Sequence, residues 1–130
     1  MSRSLRIIFL IHTVVSLILG LPMLIVPGRL LGWLGWAPID PIISRVLGAA
    51  LLALAWSSFR GWRAGDRTRV AILVELEAVF TVLASIGLLR HLLFAPFPIA
   101  PWLAFVVVAA FAVAWVAVLV GVVSRSRMSD

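Results

Sequence analysis

The sequence predicts an all-α integral membrane protein, an up-down bundle of four transmembrane helices built as a single domain over residues 1–130. Three observations carry this expectation. The chain is 64% hydrophobic and 12% charged, with a mean hydropathy of +1.21, whereas a soluble domain averages about 45 to about 50% apolar and about 25% charged residues. Four runs approach the roughly 20 apolar residues needed to cross about 30 Å of hydrocarbon. Arginines mark alternate ends of those runs. In lipid each backbone donor and acceptor must be satisfied within its own segment, so such runs become helices. Short loops then make neighbouring helices antiparallel.

The first span covers residues 7–26, after Arg3 and Arg6. No small-residue cleavage pair follows its apolar core, so it reads as an uncleaved helix, bent near Pro22. Pro27 and Gly28 stop it. The stretch from Arg29 to Pro38, with Trp33 and Trp36, is too short to cross and reads as a helical turn at the headgroup boundary. The second span covers 41–59, with Asp40 as its cap, Pro41 at its first position and Arg60 at its end. A short exposed turn follows, in which Arg60, Arg63, Arg67 and Arg69 outweigh Asp66. The third span covers 70–93, and Arg90 and His91 mark its far end. Pro96, Pro98 and Pro101 form a tight loop, because each removes a backbone donor. The fourth span covers 101–123.

All 11 positive charges are arginine. Arg3, Arg6, Arg60, Arg63, Arg67, Arg69, Arg125 and Arg127 lie on one side, and Arg29, Arg45 and Arg90 on the other. Short cytoplasmic loops carry the positive excess, so both termini are expected inside. These charges form no continuous basic face, and nucleic acid is not an expected partner. The chain lacks Cys, Asn, Gln, Tyr and Lys. That removes disulfides, thiolate metal sites, S-acylation and N-glycosylation.

Small residues recur four apart at Ala49, Ala53, Ser57 and Gly61 in the second span, and at Ala117 and Gly121 in the fourth. Such spacing predicts faces of close helix approach. Internal packing is the first reading of these faces, and a homo-oligomer seam is the second.

Ionisable residues inside a span cost about 2.5 to about 3.5 kcal/mol on insertion scales, which makes them functional candidates. His12 lies six residues past Arg6 and Glu75 six past Arg69. At about 1.5 Å per residue each lies roughly 9 Å in, so this pair shares a depth. Glu77, one step deeper, repeats with Thr81 and Ser85 at four-residue spacing, and His12 repeats likewise with Ser16 and Gly20. Two polar stripes are thus expected to face each other. Glu75 and Glu77 lie about 200° apart on the helix, so only one of them faces the bundle. His12, Glu75, Glu77 and Thr81 form the candidate ligand or proton site. Arg45 is a structural charge near the outer end of the second span, and a bridge to Glu77 is one expectation for it. Hydration, or pairing with Arg60, Arg63 or Arg69, is the plainer expectation for both glutamates, and a packing role is the plainer one for His12. His12 and His91 lie at opposite faces, so no shared metal or haem is expected. Of the six tryptophans, only Trp56 and Trp115 fall within spans, where packing is the expected role. No nucleophile with an acid and base pair can be assembled, and the chain is expected to be no enzyme and to need no cofactor.

A first span ending at Pro27, the turn Leu30-Leu31-Gly32-Trp33, the opening Arg45-Val-Leu-Gly48-Ala-Ala-Leu-Leu of the second span, and an acidic third span give a recognisable order. In these features the chain resembles the DoxX-like superfamily of small four-helix bacterial membrane proteins, some of which are linked to quinone-coupled oxidation complexes. The resemblance implies the fold and a place in the bacterial inner (plasma) membrane. Two functional expectations result. The first is a non-enzymatic bundle that binds a lipid, a quinone-like molecule or a larger membrane complex in its core. The second is a proton-coupled small transporter or channel using Glu75 or Glu77 with His12.

Overall fold

The computed structural model describes residues 2–36, 40–65, 67–94 and 98–127. Pro38, Asp66, Pro96 and the closing residues 128–130 lie outside that set. The described residues form five helices and no strand: α1 (Arg3–Ile25), α2 (Pro27–Trp33), α3 (Pro41–Arg63), α4 (Arg67–Leu92) and α5 (Ile99–Arg127). Four of these, all except α2, are long and apolar enough to cross a membrane.

The helix ends follow from side-chain chemistry. Ser2 caps α1, its hydroxyl accepting from the Leu5 N–H at 3.3 Å. Asp40 caps α3, accepting from the Ile42 N–H at 2.7 Å, with Pro41 in the first turn, where a missing N–H costs nothing. The surface turn is a seven-residue helix, α2, that stops at Gly35. There φ is +64°, a left-handed conformation suited to glycine. The Trp36 and Gly35 N–H groups donate back to Leu31 and Gly32 carbonyls at 2.9 and 3.1 Å, closing the end of α2 as a Schellman turn.

Three boundaries differ from the sequence expectation. Arg60 does not end α3, which continues a further turn to Arg63. Arginine is a good helix former and is favoured in a last turn. Pro101 belongs to no loop: it is buried in the first turn of α5, where proline is tolerated. α4 already begins at Arg67, so the arginine-rich connection is shorter than expected.

The bundle is two tight hairpins, α1 against α3 and α4 against α5, joined more sparsely along α3–α4 and α1–α5. Gly20 and Gly48 bring α1 and α3 into backbone contact. A Cβ on Gly48 would lie 2.6 Å from the Leu24 nitrogen and 3.0 Å from the Gly20 carbonyl oxygen. One Cβ on Gly61 would overlap the Phe9 ring. The small-residue face of α3 is therefore not the one expected. Ser57 and Gly61 are buried, but Ala49 and Ala53 are exposed, and Ser44, Gly48, Ala55 and Ser58 take their place. Ala117 and Gly121 are exposed as well, and nothing lies within 4 Å of a Cβ built on Gly121. Four-residue spacing defines a stripe; only the neighbours decide which stripe is buried. Toward the arginine-rich end, Leu5 and Phe9 of α1 meet Val70, Val74 and Ala78 of α4 and Trp115 of α5 in one core. Trp56, the other tryptophan within a span, is 63% exposed.

Candidate functional site

Three helices deliver one polar side chain each to the middle of that core. His12 comes from α1, Ser58 from α3 and Glu77 from α4, and all three are buried, Glu77 and Ser58 completely. The Ser58 hydroxyl donates to Glu77 Oε1 at 2.8 Å. His12 Nδ1 lies 2.9 Å from Ser58 Oγ and 3.2 Å from Glu77 Oε2. The Oε2 contact is an ion-pair approach without the alignment of a hydrogen bond. When Glu77 is ionised the one Ser58 proton points at it, and Ser58 Oγ then accepts from a proton on His12 Nδ1. The imidazole is walled by Phe111 at 4.4 Å and Trp115 at 5.7 Å between ring centroids. Trp115 in turn packs at a tilt against Phe9, with ring centroids 4.8 Å apart.

This arrangement satisfies a buried acid and a buried base by each other, which isolated burial of either would not do. It is not a hydrolase relay. In such a relay the histidine nitrogen takes the serine proton and its other nitrogen donates to the acid. Here serine and glutamate share one nitrogen, and the serine hydroxyl already donates to the glutamate.

Each sequence candidate has a definite place. His12 and Glu77 meet, and the two polar stripes do face each other: Ser16 and Gly20 are buried beside His12 on α1, and Thr81 follows Glu77 on α4. Thr81 and Ser85 bond their own helix, donating to the Glu77 and Thr81 carbonyls, each at 2.7 Å. Glu75 is exposed on the other side of α4 and is not the partner of His12. Depth alone favoured Glu75; rotation about the helix axis selects Glu77. Arg45 is exposed, and the partners of Glu77 are Ser58 and His12, so the expected Arg45–Glu77 bridge does not form. Its neighbour Ser44 is the buried residue, with its hydroxyl donating to the Asp40 carbonyl at 2.9 Å. His91 is exposed beside Arg90. Among the described residues no group of three potential metal ligands converges.

The sequence reading missed Ser58. Its signal was depth: measured from the true end of α3 at Arg63, five residues place it about 7.5 Å in, close to His12. Measured from Arg60, it lies only about 3 Å in.

A second feature was also missed. Between α3 and α4, on the far side of that seam from His12, an open cleft of about 820 Å³ runs down from the arginine-rich end. Arg60, Arg63 and Arg69 ring its mouth, and Ala53, Trp56, Ile72, Leu73 and Leu76 form its walls. The Arg63 guanidinium lies 5.7 Å from the centre of the Phe59 ring, within cation–π reach. A smaller recess at the opposite end is lined by Gly87, Arg90, His91 and Phe94. Neither reaches His12 or Glu77.

Comparison with protein-family models, with curated proteins and with solved structures finds no match to this chain.

Proposed function

We propose that this chain is a non-enzymatic, multi-pass protein of the bacterial inner membrane, with both termini cytoplasmic. In this reading it is a DoxX-like bundle that holds a lipid or quinone-like amphiphile for itself or for a larger membrane complex. The observation that carries the reading is the α3–α4 cleft, whose polar mouth and apolar depth match an amphiphile. Its volume of about 820 Å³ falls within the roughly 300 to about 1,000 Å³ usual for small-molecule sites. The outward faces of the long helices, such as Ile18, Ile43, Leu83 and Val113, are apolar and exposed, as a lipid-facing surface requires. The binding place differs from the core site first expected, because His12 lies among the buried Phe9, Ser58 and Trp115 and lines neither cavity.

The test fills the cleft. Leu76→Trp should abolish retention of a co-purifying amphiphile, read by native mass spectrometry, while the variant still melts as the parent does. Retention unchanged in that variant would place the ligand elsewhere and sink the reading.

A second reading keeps one specific observation in play: His12 and Glu77 share a buried site 3.2 Å apart within segments long enough to span. Such a pair suits a proton-coupled small transporter or channel. Proteoliposomes loaded with a pH-sensitive dye would test it. Proton flux that is equal for the parent and for Glu77→Gln would rule it out.

A further inference from the structure

The two hairpins are held inside and held together by different means. Within the first, α1 and α3 touch backbone to backbone, since a Cβ on Gly48 would lie 2.6 Å from the Leu24 nitrogen. Between the hairpins the contacts are sparser. Phe9 meets Val74 and Trp115 there through apolar surfaces, which in a bilayer gain little by leaving lipid tails as apolar as themselves. Directed bonds therefore carry more of the fit at this seam. Both polar links described above that cross it end on one side chain. Ser58 of α3 donates to Glu77 of α4 at 2.8 Å, and His12 of α1 approaches the same carboxylate at 3.2 Å.

The cleft occupies the same seam. Trp56 and Phe59 of α3 and Ile72, Leu73 and Leu76 of α4 are among its walls. Ser58 stands between the two aromatic wall residues in the chain, and Glu77 directly follows Leu76. The bonded pair and the cleft walls thus share one level on both helices. α3 ends at Arg63 and α4 begins at Arg67, so a short connection ties the two helices at the arginine-rich end. From Arg67 to Glu77 is ten residues, or about 15 Å along α4. A hydrogen bond of 2.8 Å is lost once it stretches to about 3.5 Å, so parting the helices by under about 1 Å at that depth breaks the Ser58 link.

We infer that Ser58 and Glu77 are positioning residues of the cleft, a polar latch that holds the two hairpins at the spacing which gives the cleft its width. The use of that cleft by an amphiphile rests on the reading above; the latch rests on the geometry of the seam alone. Thr13, Ser44, Thr81 and Ser85 each bond a carbonyl one turn back and tie no helices together. Ser58 instead directs both of its bonds to other helices, to His12 at 2.9 Å and to Glu77 at 2.8 Å. Phe111 and Trp115 of α5 pack on the same imidazole, so all four long helices meet at the latch. Without the acceptor on Glu77 the second hairpin turns away about the short connection, and the displacement grows toward the far ends of α3 and α4. α1 moves with α3, because the Gly48 contact is untouched.

The chain has no cysteine, so pairs of spin labels can be placed on the whole protein in neutral detergent without altering the cluster. Ile43→Cys with Ile86→Cys reports the distance between α3 and α4 near their far ends, and Leu21→Cys with Ile43→Cys the distance within the first hairpin. All three side chains are exposed. In Glu77→Leu the first distance should lengthen by about 2 Å or more, the scale on which packed helices shift in switching proteins, while the second stays at the parent value. Glu77→Gln, whose amide oxygen still accepts from Ser58, should keep both. Ser58→Ala leaves the His12 approach in place and should lengthen the first distance by less; it decides the matter if Glu77→Leu loses both distances by failing to fold. An α3–α4 distance unchanged in Glu77→Leu and in Ser58→Ala overturns the proposal. Equal lengthening of both distances in Ser58→Ala, or a Glu77→Gln that opens as far as a folded Glu77→Leu, overturns it too. Phosphatidylcholine retained by the parent and by Leu76→Trp, read by native mass spectrometry, separates this result from the amphiphile reading. Equal retention beside the expected distances leaves the latch standing and sinks that reading, whereas lost retention beside unchanged distances does the reverse.

Discussion

Ser57 and Ser58 are adjacent in one helix, both buried, and their surroundings are opposite. Ser58 turns toward α1 and α4, where its hydroxyl joins His12 to Glu77 in a core closed by Phe9 and Trp115. Ser57 belongs to the cleft wall, and its hydroxyl oxygen is covered and has no hydrogen-bond partner among the described residues. About 100° of helix rotation separates the two. The same division recurs on α4, where Glu77 faces the closed side and Leu76 the open one. On one side of the α3–α4 seam polar side chains bond one another across helices, although Glu77 Oε2 and Trp115 Nε1 there have no hydrogen-bond partner among the described residues; on the other, Ser57 Oγ has none and is joined to no other helix.

The sharpest way to break this contrast is to empty the closed side. Glu77→Leu removes the acceptor of the Ser58 proton and leaves His12 facing an apolar group. Truncating one partner of a buried pair costs about 3 to about 5 kcal/mol. Equilibrium unfolding in mixed micelles should show that loss, while Glu75→Gln, on the exposed face, should leave the curve in place. Equal effects of the two substitutions would remove the special role of the cluster.

A smaller effect tests the hairpin that carries two of its three members. Gly48→Ala places a methyl group against the α1 backbone at Leu24, and overpacking of that kind costs about 1 to about 3 kcal/mol. Gly87 and Gly121 have open space around a built Cβ, so alanine there should be neutral or slightly stabilising. A Gly48→Ala variant as stable as the parent would show that α1 and α3 have room to separate.

The smallest effect sharpens the comparison most. Ser58→Ala should destabilise by about 1 to about 3 kcal/mol, because it leaves buried partners unsatisfied. Ser57→Ala in lipid-free micelles should cost nothing, since the deleted hydroxyl had no partner to lose. A Ser57→Ala loss as large as that of Ser58→Ala would remove the contrast between the two serines.

Much of the fold was legible in the sequence because its causes are local. Four apolar runs of spanning length, the Asp40-Pro41 start and the Pro27 boundary are written in consecutive residues, and helix formation needs nothing more. The candidate site was half legible for the same reason. Periodicity put His12 with Ser16 and Glu77 with Thr81, and a rotation of about 200° said that only one glutamate turns inward.

Which glutamate, and which serine, depended on how the helices turn against one another, and no local rule contains that rotation. Tertiary packing set α3 by the Gly20–Gly48 contact, which buried Ser58 rather than Ala53 and left Arg45 outside. It also gave the arginines beside the seam a second role. In the sequence they mark one end of the bundle; in three dimensions Arg60, Arg63 and Arg69 surround an apolar cleft. Composition and period fixed that there are four long helices and which end is positive, because both are properties of the chain alone. The cluster of His12, Ser58 and Glu77 and the cleft are properties of the spaces between helices, and only packing creates those.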